Sequence, residues 1–96
     1  MRPVLHGDVS AAARALLAAP LEDRESLCAR MFREAQLAYK HVSQTGQLHP
    51  KFGNGSLMAV ARNRPLADEP CFDDLHYCRC FELVLRHLGL FLATRC

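Results

Sequence analysis

Tryptophan and isoleucine are absent from the 96 residues, valine appears five times, and aromatic residues make up only 7%. Strands are built from β-branched and aromatic residues in alternation, so a sheet has little to form from. No apolar run approaches the roughly 18 residues that suggest a membrane-spanning helix. The nearest, Leu83 to Ala93, is interrupted by Arg86 and His87. Neither sign of charge dominates: 12 basic against 10 acidic residues give a net +2, too mild to demand nucleic acid or an anionic membrane. There is no internal repeat, low-complexity tract or Ser/Gly linker. Cys-x-x-Cys, haem-attachment, P-loop and dinucleotide-binding signatures are missing as well.

The N-terminus makes a poor signal peptide. Arg2 is followed by a small-residue stretch, Ala11 to Ala19, but Asp8 precedes that stretch and Arg14 interrupts it. A cytoplasmic protein is therefore expected, with no membrane partner. The five cysteines, Cys28, Cys71, Cys78, Cys80 and Cys96, are then expected as reduced thiols. Five is odd, so they cannot all pair within one chain.

Helix signals dominate what is present. Half the residues are hydrophobic and 23% are charged, which suits one globular domain over residues 1–96. A first helix is expected from an Asp8 N-cap to the break at Pro20, with Val9, Ala12, Ala13, Leu16 and Leu17 on one face. A second should run from about Leu21 to His41 or beyond, stopped by Gly46. Its apolar stripe is Leu27, Met31, Ala35, Ala38 and Val42. Residues 46–55 read as the longest loop, and Ser56 as the N-cap of a short third helix, Leu57 to Asn63. Pro65 to Pro70 is a second loop. The last helix should start at an Asp73 N-cap and reach about Ala93. Along it Cys78, Phe81, Leu85, Leu88 and Leu92 repeat at three, four, three and four, the spacing of a coiled-coil seam. Tyr77, Cys80, Val84 and Phe91 form a second stripe beside it. Leu83 and Leu90 add a third apolar direction, shared with Arg79 and Arg86. The expected fold is all-α, a compact bundle of about four helices, two long and two short, with the second and fourth packed antiparallel.

The opening residues Met1 to Asp8, the central Gly53-Asn54-Gly55-Ser56-Leu57-Met58-Ala59 and the segment Cys71 to Leu85 resemble a family of short alphaproteobacterial proteins of unknown function. The resemblance implies a bacterial, cytoplasmic, helical domain and carries no activity.

Four constellations could carry function. Cys71, His76 and Cys80 offer thiolate and imidazole ligands, with His76 and Cys80 four apart on one helical face. Cys78 and Cys80 point about 200° apart on a helix and cannot share an ion. Small core residues are the plainer reading of these cysteines. Gly53 and Gly55 lead into the Ser56 cap, where free N–H groups could hold an anion near Lys51, Arg62 and Arg64. The same three basic residues are a thin footprint for nucleic acid. No local motif builds a catalytic Cys–His pair from the histidines and cysteines, so neither an enzyme nor a cofactor is expected. The last helix carries more apolar surface than so small a domain obviously needs. Leu83, Leu90 and Phe91 are the residues expected to meet another protein or, in a homodimer, a second copy. The function expected is that of a small non-enzymatic interaction or regulatory module.

Overall fold

The computed structural model describes residues 2–94. The first helix, α1, spans His6–Ala18; a 3-10 turn at Leu21–Asp23 leads into α2, Arg24–Thr45; α3 is Leu57–Ala61 and α4 is Leu75–Thr94. The described residues contain no strand, only an isolated bridge between His49 and Gly53, and the all-α class holds. No helix among them is long and apolar enough to cross a membrane.

α1 is the centre of the bundle. Alanines dominate its sequence, and Val9, Ala11, Ala12, Ala13, Ala15 and Leu16 are all buried. Small side chains let neighbouring helices approach closely from several directions, and α1 packs against α2, α3 and α4. The helix starts earlier than the Asp8 cap predicts. Leu5 is the N-cap, and Asp8 sits on the third helical residue. From there the Asp8 carboxylate accepts from Leu5 N–H at 2.9 Å and from Met58 N–H at 3.0 Å. One buried carboxylate thus satisfies the N-termini of two helices, and both dipoles favour its charge. Ser56 completes the start of α3 by accepting from Ala59 N–H at 3.1 Å.

Pro20 ends α1 as expected. Arg24 then closes the exposed C-terminal carbonyls, donating from Nε to Leu16 O at 2.9 Å and to Ala19 O at 3.2 Å. α2 runs past His41 to Thr45 and stops at Gly46, whose φ of 72° is the left-handed C-terminal conformation. The following loop is more ordered than its composition suggests. His49 and Gly53 exchange both backbone hydrogen bonds, and His49 Nδ1 accepts from Lys51 N–H and Phe52 N–H. Gly55 has φ 91°, and a Cβ there would meet the Tyr39 backbone at 2.7 Å, so no other residue fits. α3 is shorter than expected, ending at Ala61 rather than Asn63.

α4 departs most from the sequence reading. Its cap is Asp74, which accepts from Tyr77 N–H at 3.0 Å, and not Asp73. The inward line is Tyr77, Cys80 and Val84, the second stripe. The heptad seam is not the core face: Leu85 and Leu92 are each 49% exposed, while Phe81 and Leu88 are partly buried along its edge. The cause is the surface opposite. α1 offers a shallow alanine face with Ser10 in it, and Tyr77, 2% exposed, fills that face with its hydroxyl 3.3 Å from Ser10 Oγ. Nor does α4 pack antiparallel to α2. Glu25 meets Arg86 and His87, while Phe32 meets His87 and Phe91, so the contacts advance together along the two helices. α4 finds its main partner in α1, against which it runs in the opposite sense: Ser10 meets Tyr77 and His6 meets Phe81.

Candidate functional site

Between the first turn of α2 and the middle of α4 lies an open groove of about 800 Å³. Leu21, Leu83 and Leu85 give it an apolar lining, and Cys80 lies at its base. Arg24, Arg79, Arg86, Glu25 and Glu82 complete the walls. Pro20 ends α1 and turns the chain, which leaves Leu21 on the 3-10 turn 71% exposed at one lip. Glu25 is held at the other side by Arg86 at 2.8 Å and by His87 at 3.1 Å.

The thiols nearby are chemically quiet. Burial pushes Cys28 up to about 12, with the Glu25 carboxylate adding to the effect. Burial also raises Cys80, against the opposing pull of Arg24. Both are therefore protonated near neutral pH, poor as nucleophiles and poor as ligands. Cys78 donates its S–H to Phe72 O, and Cys71 is exposed. Cys96 lies outside the described residues. Cys71, His76 and Cys80 are not gathered into a site. Among the described residues no three His, Cys, Asp or Glu side chains converge closely enough to hold a metal ion.

Four of the N–H groups of the glycine loop and the start of α3 are occupied. Gly53 N–H binds His49 O, Ser56 N–H binds Asn54 Oδ1, and the amides of Met58 and Ala59 go to Asp8 and Ser56. Lys51 and Arg62 are exposed. Arg64 instead turns inward, donating to both oxygens of Glu34 at 3.0 and 3.3 Å; its Nη1 is buried without a partner. The three basic residues thus do not form one exposed cluster.

The expected partner surface divides. Leu83 and Phe91 are partly buried against the core, with Phe91 tilted against Phe32 at 6.4 Å. Leu90 is 61% exposed. Leu85 and Leu92, assigned by the sequence to the core seam, are half exposed on another side of the helix. The groove itself was not anticipated. Its one sequence signal is the third direction of α4, where Leu83 shares a face with Arg79 and Arg86; the part contributed by Leu21 and Arg24 depends on the turn after Pro20.

Residues 2–88 match the family described as Domain of unknown function (DUF7742). The chain belongs to this family. The match covers α1, α2, α3 and most of α4, including every residue of the groove. No curated protein and no solved structure matches it.

Proposed function

We propose that this member of the DUF7742 family is a small non-enzymatic interaction module of the bacterial cytoplasm, acting through the C-terminal half of α4, and that its first partner is a second copy of itself. The observation that carries the reading is Leu90, 61% exposed on that half-helix; Leu85 and Leu92 are also exposed, on a face about 150° away around the helix. Full burial of a leucine is worth about 1.5–3 kcal/mol, so covering the exposed Leu90 of both copies at once favours pairing. Helix-to-helix pairing across a twofold axis uses such a surface with no further element. A regulatory role would follow from the competition between self-pairing and another partner.

Sedimentation equilibrium of the reduced protein tests this. The wild type should show a concentration-dependent shift toward twice the 10.8 kDa chain mass. Leu90→Glu should sediment as a monomer with an unchanged circular-dichroism spectrum, because its side chain lies outside the core. A wild type that stays monomeric, or a variant that associates equally well, contradicts the self-pairing.

A further inference from the structure

We propose that the outer face of α2 is a docking surface for an acidic, amphipathic helical segment of another protein. The face lies on α2 and uses none of the leucines of α4, so it does not depend on self-pairing.

Charge is unevenly divided along the chain. Between Glu25 and Asp68 stand six basic residues, Arg30, Arg33, Lys40, Lys51, Arg62 and Arg64, against one acid, Glu34. The rest of the chain sets its other six basic residues against nine acids. Glu34 is already committed, since both its oxygens accept from Arg64. Positive charge is therefore left uncompensated on α2 and the segments beside it.

That charge is ordered on the helix. Arg30, Arg33, Leu37, Lys40 and Gln44 follow steps of three, four, three and four, which places them within about 80° of the helix circumference. The buried line Cys28, Met31, Ala35 and Ala38 takes the opposite side, so packing of α2 turns the first line to solvent. All five residues of that line are exposed. Arg30, Arg33 and Lys40 make no hydrogen bond or ion pair among the described residues. Leu37, 53% exposed, stands between Arg33 and Lys40. His41 and His49 meet with ring centroids 5.2 Å apart, and Asn63 Nδ2 donates to Lys51 O at 2.8 Å. These contacts bring the segments carrying the exposed Lys51 and Arg62 to one flank of α2.

Leu37 selects among anionic partners. A phosphate backbone would gain from the cations, but would press the leucine against charge. A second helix laid along the same spacing covers Leu37 with an apolar residue and sets carboxylates against Arg30, Arg33 and Lys40. From Arg30 to Lys40 the face is about 15 Å long, nearly three turns of such a helix.

Amide NMR titration of the full chain tests the proposal. The probe is a three-heptad peptide in which leucine and glutamate alternate along one line of three- and four-residue steps, with alanine and glutamine elsewhere. Saturable shifts centred on residues 26–52 are expected, with one peptide per chain and weaker binding as salt is raised. Arg33→Glu combined with Lys40→Glu should weaken the affinity about tenfold, because two exposed ion pairs are lost and repulsion replaces them. Leu37→Gln should weaken it about threefold. These side chains are exposed, so the variants should keep the circular-dichroism spectrum of the wild type. No saturable shift, shifts centred on α4, an affinity unchanged by the double reversal, or equal binding of a peptide with lysine in place of every glutamate overturns the proposal. A short duplex DNA that binds more tightly at the same salt overturns the acidic helix in favour of nucleic acid.

Discussion

α1 and the C-terminal half of α4 are both apolar helical segments, yet they end in opposite surroundings. α1 is built largely from alanine and is buried on most of its circumference. Its few polar groups are satisfied: Asp8 by two backbone amides, Ser10 by Tyr77 and Glu69, Arg14 by Ala67 O. The end of α4 is rich in leucine, and Leu90 is 61% exposed and Leu85 and Leu92 49% each. Hydrophobicity alone does not decide which helix goes inside. Small side chains let α1 accept neighbours on several faces, whereas the bulk on α4 can be covered on only one side by a chain of this size. The remaining leucine surface is what the self-pairing reading uses.

The sharpest way to break the comparison is at Asp8. Asp8→Ala leaves Leu5 N–H and Met58 N–H without their acceptor and removes a charge that favours two helix N-termini. The expected loss is about 2–4 kcal/mol in urea unfolding. A loss under about 0.5 kcal/mol would mean that α1 and α3 are not joined through this carboxylate.

Adjacent residues of α4 test its register next. Val84→Ala removes a fully buried side chain and should cost about 2 kcal/mol, including the cavity left behind. Leu85→Ala removes a larger side chain from the exposed seam, and should cost less than about 0.5 kcal/mol in the monomer. The reverse ranking would restore the seam to the core.

A smaller effect should appear in alkali. Burial holds the Cys28 thiol protonated up to about 12, whereas in the unfolded chain it ionises near 8.5. Above that lower value the unfolded state binds fewer protons than the folded one. Stability contributed by this group is therefore complete at neutral pH and falls as pH rises between those values, by at most about 1.4 kcal/mol per pH unit. Cys28→Ala should flatten the alkaline limb of stability against pH, and an identical limb in wild type and variant would contradict the assignment.

Much of the fold was legible because local chemistry set it. Pro20, Gly46 and Ser56 end or start helices for reasons held within a few residues, and the structure keeps each. Asp8 and Asp73 show the limit. An acidic residue near a helix start is easy to recognise, but which aspartate caps, and whether it also reaches a second helix, depends on the other chain segments. The α4 register shows it more strongly. When a helix is apolar on three sides, periodicity offers several stripes, and the choice falls to the shape opposite, here the Ser10 and alanine face of α1. Leu90 is exposed as expected, whereas Leu83 and Phe91, offered with it, are partly covered, because periodicity does not say which sides of so apolar a helix the rest of the chain reaches. The groove was not legible, since it joins Leu21 and Arg24 to α4 across a turn whose direction no spacing records.

Hydrogen exchange read by mass spectrometry at low and high protein concentration sets the two regions directly against each other. Amides of α1 should be the slowest to exchange and should not respond to concentration, while amides over residues 85–94 should exchange quickly in dilute protein and gain protection as the chain concentrates. Protection of 85–94 that is independent of concentration, or an α1 that exchanges as fast as the end of α4, would contradict the account.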